Sequence, residues 1–169
     1  IHLMYKEKYK RVLDFYLAVL IFILTLPIFL LIIFILFFQS GLPIFHWSKR
    51  VGKKNIIFNM PKFRTMKVNT PQVATHLIKD PDQYLTKFGK LLRKTSLDEL
   101  PQLLSIIKGN MSFVGPRPAL YNQYDLINLR KKKKIDQLIP GLTGWAQING
   151  RDELSIKDKV LLDDYYLKN

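Results

Sequence analysis

From Phe15 to Phe38 the chain carries no Asp, Glu, Lys or Arg, and its only clearly polar members are Tyr16 and Thr25. As a helix, such a segment reaches about 36 Å, against a hydrocarbon core of roughly 30 Å. It is too long and bulky for a signal-peptide core, and no small-residue cleavage site follows it. Pro27 falls near its middle. A proline there removes one hydrogen bond, frees the carbonyl of Ile23 and bends the helix. Each arm is then about 17 Å long, roughly half a bilayer.

Downstream the pattern changes. Ile44–Arg50 and Ile56–Met66 read as strands around a Gly52-Lys53-Lys54-Asn55 turn. Pro71 to Pro81 is polar and reads as a loop. Tyr84–Lys94, Ser96–Lys108, Leu120–Leu138 and Ile156–Leu167 read as helices, with Gly109 ending the second and Ser155 opening the last. Pro140–Gly150 reads as a Gly-rich loop. The class is α+β and mostly helical. Residues 1–38 form a basic N-terminus and membrane helix, and residues 39–169 a globular domain carrying a short β-hairpin. Met4 is the expected natural start.

Charge decides how the apolar segment sits. The 169 residues hold 27 Lys+Arg against 13 Asp+Glu, a formal charge of +14. Lys6, Lys8, Lys10 and Arg11 precede the apolar segment; Lys49, Arg50, Lys53 and Lys54 follow it. The positive-inside rule wants both clusters on the cytoplasmic side. Both obey it only if the helix enters and leaves by the same face. A straight span with a tolerated proline is the alternative. Five adjacent cations, Arg130 to Lys134, add an electrostatic surface for anionic lipid. A membrane-tethered adaptor or a nucleic-acid-binding protein would share that charge. No array of stacking aromatics accompanies the run, so nucleic acid is not the expected partner. With no cysteine, disulfides, Cys-ligated metals and a Cys nucleophile are excluded. His2, His46 and His76 form no ligand pattern.

The chemistry concentrates at Thr95-Ser96-Leu97-Asp98-Glu99-Leu100-Pro101-Gln102. Ser96 and Glu99 fit a capping box, which places Asp98 in a first helical turn. Pro101, at the fifth helical position, breaks that local rule, and rules break most often at functional sites. Adjacent carboxylates beside Arg93 and Lys94 suit phosphoryl transfer: one can form an acyl-phosphate, the other can hold Mg²⁺ or take a proton. Lys62 and Arg64 alternate on one strand face, where two cations could hold a diphosphate. Arg117 is fixed between Pro116 and Pro118, which spares ordering entropy in phosphate binding. The segment 141–151 offers glycines, Trp145, Gln147, Asn149 and Arg151 to a nucleotide. For each of these, an ordinary solvated or capping role is the alternative.

Taken in order, the proline-interrupted apolar segment, KFRTM (62–66), SLDELPQL (96–103), KGNMSFVGPRP (108–118) and PGLTGWAQINGR (140–151) resemble the bacterial sugar transferases. More narrowly, they resemble small monotopic phosphoglycosyl transferases that start lipid-linked glycan assembly. The resemblance implies transfer of sugar-1-phosphate from a UDP-sugar to polyprenyl (undecaprenyl) phosphate at the cytoplasmic face of the bacterial inner membrane, with UMP released and Mg²⁺ required. It makes Asp98 the nucleophile and Glu99 a metal ligand and proton acceptor, with Arg93 and Arg117 on phosphate. It also implies a re-entrant helix bent at Pro27 and interfacial amphipathic helices. Leu26 departs from the pattern, since such proteins often carry Ser before the proline; Thr25 is positioned to compensate.

Overall fold

The computed structural model describes residues 2–70, 80–150 and 153–169. Most of the loop expected at 71–81 lies outside the described residues, and so does Arg151. The long helix α1 spans His2–Ser40, and its hydrogen-bond pattern continues through Pro27. Thr25 does not serve the carbonyl of Ile23 that the proline frees. Its hydroxyl donates instead to Ile21 O at 2.7 Å.

α1 packs along the globular domain for most of its length. Ala18 lies in a core cluster with Phe58, Met60, Leu103, Ile106 and Met111. Phe29, Ile32 and Leu36 lie in a second with Ile44, Phe63 and Leu92. Its two ends are fastened as well. Near the start, Arg11 donates to Ile106 O and Ile107 O, both at 2.6 Å. At the end, Arg64 donates to Ser40 O at 2.5 Å and Gly41 O at 2.7 Å. The outward face leaves Leu13, Leu20, Leu24, Leu31, Phe34 and Phe38 exposed. A continuous apolar face of that extent needs a nonaqueous neighbour.

The hairpin forms as expected: β1 (Phe45–Val51) pairs antiparallel with β2 (Ile57–Phe63), placing His46 opposite Lys62 and Arg50 opposite Phe58. β2 is shorter than the expected strand and ends before Arg64. α2 (Lys87–Thr95) is capped by Thr86, whose hydroxyl accepts from Gly89 N–H at 2.9 Å. α3 covers Gln102–Lys108, α4 Tyr124–Lys132, α5 Trp145–Ile148 and α6 Ile156–Lys168. A second, parallel pair joins β3 (Ser112–Val114) to β4 (Gly141–Thr143). Three-residue strands carry too few positions for an alternation, so the sequence did not announce them.

Two expected helices divide. Ser96 does not open a helix. It closes α2 in the left-handed conformation, φ 58° and ψ 14°, and its side chain caps nothing. A single 3₁₀ turn, Leu97–Glu99, follows, and α3 begins only after Pro101. The capping box is therefore not formed. Pro101 breaks no helix, because a proline at a helix edge loses no intrahelical bond. The expected Leu120–Leu138 helix likewise stops at Lys132. Lys134 turns left-handed, and a 3₁₀ turn covers Ile135–Gln137.

Candidate active site

The 3₁₀ turn between α2 and α3 presents Asp98 and Glu99 side by side. β2 reaches it from one side through Lys62, and the loop after β3 reaches it from another through Arg117. Lys62 Nζ lies 2.5 Å from Glu99 Oε1, and Arg117 Nη2 lies 3.1 Å from the same oxygen. Burial alone would push the Glu99 carboxyl up; these two cations override it and hold the pKa at about 2. Asp98, 8% exposed, forms no ion pair among the described residues. Burial, reinforced by the Glu99 charge, raises its pKa against the pull of Lys62 and Arg93. The neighbours thus diverge. Glu99 is locked as an anion, while Asp98 is the more basic carboxylate and has no cation bonded to it.

The expected cations Lys62, Arg93 and Arg117 are brought together. Arg93 Nε donates to Thr65 Oγ1 at 3.0 Å, which aims the guanidinium from the last turn of α2. Lys62 is lowered in pKa by burial, with Glu99 opposing. Sequence reasoning missed a fourth cation. Arg50 on β1 donates from Nε to Ser48 Oγ at 3.0 Å and from Nη1 to Pro118 O at 3.1 Å. Burial, then the Arg117 charge, lowers its pKa to about 10. His46, solvent-exposed on the same strand, is also held below the ordinary histidine value. Desolvation leads, followed by Lys62, Arg50 and Arg93. The alternation His46-Ser48-Arg50 was the available signal: a strand reading puts all three on one face.

Arg64 is not with them. It lies beyond the end of β2, 8% exposed, with Nη2 on the Ser40 and Gly41 carbonyls. The pairing of Lys62 and Arg64 as a diphosphate clamp is corrected: their separation follows from the strand ending at Phe63. Gln147, in α5, has both amide atoms buried without a hydrogen-bond partner among the described residues. The glycines of its loop serve close packing rather than flexibility. A Cβ on Gly144 would stand 2.1 Å from Gly115 O, so the 115–118 and 140–144 backbones press directly together. The five-cation run also divides. Arg130 is bound to buried Asp163 at 2.7 Å and donates to Arg117 O at 2.8 Å. Lys133 pairs with Asp164 at 3.0 Å.

Among the described residues no group of three His, Asp or Glu converges on a metal position. Mg²⁺ asks for less than that, since it takes one or two carboxylates and completes its shell from water and substrate phosphate. Both described bonds to Glu99 end on Oε1. Glu99 Oε2 takes neither of those bonds, so Glu99 fits as a ligand to such an ion.

An ionised, cation-locked carboxylate beside a more basic one, with Arg50, Arg93 and Arg117 around them, has the charge to accept anionic groups. The sequence profile of the bacterial sugar transferases matches residues 5–169. A sugar transferase of Bacillus subtilis (strain 168), EpsL, is 40% identical, with 95% of this chain aligned to 78% of that protein. The exopolysaccharide production protein ExoY of Sinorhizobium fredii is 37% identical, covering 95% of this chain and 77% of the relative. The undecaprenyl-phosphate galactose phosphotransferase of Salmonella typhimurium is 33% identical over 95% of this chain, which spans 36% of that longer protein. The chain belongs to the bacterial sugar transferase family.

Proposed function

We propose that this enzyme transfers sugar-1-phosphate from a UDP-sugar to polyprenyl phosphate and releases UMP, through a covalent phospho-sugar on Asp98. The carrying observation is the unequal treatment of two adjacent carboxylates: Lys62 and Arg117 hold Glu99, while Asp98 carries a raised pKa and, among the described residues, no ion pair. The more basic carboxylate is the better nucleophile. Its oxygen attacks the phosphorus attached to the sugar, and the bond from that phosphorus to UMP breaks. A phosphate oxygen of the lipid then attacks the same phosphorus and frees Asp98. Arg93 and Arg117 are positioned to stabilise charge on the transferring group. Glu99 would hold Mg²⁺, which would supply charge neutralisation at the diphosphate. Relatives named for galactose or N-acetylgalactosamine phosphotransfer to undecaprenyl phosphate support this reading.

The membrane arrangement follows the same reading. Arg11 and Ser40, some 44 Å apart along an ideal helix, both contact one polar domain. A straight span would carry one end across roughly 30 Å of hydrocarbon, out of that domain's reach. This supports entry and return through the cytoplasmic face, with Pro27 as the point of least helical resistance.

The test uses UDP-sugar labelled in the sugar-linked phosphate, with no lipid acceptor. The expected result is about one UMP per active site and label retained at Asp98. No trapped label, and no UMP until acceptor is added, would overturn the covalent route. A screen of UDP-sugars in the same assay identifies the donor.

A further inference from the structure

The cations of the site outnumber its acids. Among the described residues, Arg50, Lys62, Arg93 and Arg117 face only Asp98 and Glu99, and His46 contributes no charge when neutral. Glu99 engages Lys62 and Arg117, and Arg93 feels Asp98. Among the described residues, Arg50 has neutral acceptors, the Ser48 hydroxyl and the Pro118 carbonyl. It is partly buried beside a second guanidinium, an arrangement that costs energy unless an anion joins it. The cost is built in structurally: Arg50 holds the carbonyl that follows Arg117, so the two guanidinium groups share one scaffold.

Counting the protein's own groups, before any Mg²⁺ joins Glu99, the surplus of two positive charges matches a phosphomonoester, which carries about −1.5 to −2 near pH 7. Under the proposed two-step route, such a group appears twice. UMP leaves as a phosphomonoester, and polyprenyl phosphate arrives as one. Between the two events the Asp98 carboxylate charge is replaced by the single charge of the phosphodiester-like adduct, so the surplus of the protein's own groups is unchanged. We propose that Arg50, with Arg117, forms a phosphomonoester subsite on β1 that holds the UMP phosphate as it departs and then the lipid phosphate as it attacks. This rests on the covalent reading above.

The full chain in detergent tests it through Arg50→Gln and Arg50→Lys, with UMP and uridine as competing ligands. Wild type should bind UMP more tightly than uridine. Arg50→Gln should weaken UMP by about 10- to 100-fold, the range for one charged hydrogen bond, and leave uridine unchanged. The KM for polyprenyl phosphate should rise by a similar factor. Arg50→Lys keeps the charge without the fork, so it should fall between the two, and it serves alone if the Gln variant does not fold. Equal weakening of UMP and uridine would overturn the subsite in favour of a purely structural Arg50. So would an unchanged UMP affinity, or a loss confined to one of the two phosphates. Failure of the covalent reading has a different signature: wild type itself then traps no label.

Discussion

Replacing Glu99 by Gln and Asp98 by Asn should abolish transfer in both cases and move stability in opposite directions. Glu99 has its pKa lowered from 4.5 to about 2 in the folded protein. At about 1.4 kcal/mol per pH unit, that is a preference of about 3 kcal/mol for the charged form. Glu99→Gln resembles the protonated form and leaves Lys62 and Arg117 without a counter-charge, a loss also expected at about 3–5 kcal/mol for a broken buried pair. The folded pKa lies below the unfolded one, so this stabilisation is present above about pH 4.5 and is lost as pH falls toward about 2. Asp98 runs the other way. Its pKa is raised, first by burial and then by Glu99, so its ionised form opposes folding at neutral pH. Asp98→Asn removes that opposition. Thermal unfolding in detergent, followed by fluorescence of Trp47 and Trp145, should show Glu99→Gln melting about 6–12 °C below wild type at pH 7. The gap should begin to narrow below about pH 4.5 and close only as the pH approaches about 2, while Asp98→Asn should melt no lower than wild type. A Glu99→Gln protein as stable as wild type at pH 7 would refute the lock, and a strongly destabilised Asp98→Asn would refute the electrostatic strain on the nucleophile.

Other outcomes follow from the same geometry. Arg130→Gln should cost about 3–5 kcal/mol by exposing buried Asp163 to an unpaired state, whereas Lys131, Lys132 and Lys134 changed together to Gln should reduce binding to anionic vesicles by about 1 kcal/mol each and leave the melting temperature in place. Ser96→Gly should be neutral or stabilising by about 1 kcal/mol, because Gly adopts the left-handed conformation freely; denaturant midpoints check it. Gly144→Ala should force the 115–118 loop away, since a Cβ there would stand 2.1 Å from Gly115 O, and should lower kcat far more than it changes donor KM. Cysteines placed at Lys8 and Lys53 should react alike with an impermeant reagent in oriented vesicles, and opposite labelling would exclude entry and return by one face.

Much of this was readable along the chain because it depends on local order. Hydrocarbon from Phe15 to Phe38 makes a membrane-seeking helix whatever it meets, and alternation makes β1 and β2 strands of a hairpin. The Asp98–Glu99 pair lies in consecutive positions, and Arg93 stands five residues before it, so their neighbourhood is a matter of spacing. Tertiary structure decided what no spacing encodes. The end of β2 at Phe63 sent Lys62 to Glu99 and Arg64 to the C-terminus of α1. The pairing of β1 with β2 brought Arg50 to the site, where the sequence had shown it only as a strand residue and part of the positive-inside charge. Arg130 left its four lysines for Asp163, a residue 33 positions away. Even the difference between two neighbouring carboxylates was settled from outside: Lys62 lies 37 residues from Glu99 and Arg117 lies 18 away, and both chose the same oxygen. A charge pattern along a chain sets which groups are present, but the dielectric and the partners that determine their chemistry exist only once distant segments have packed.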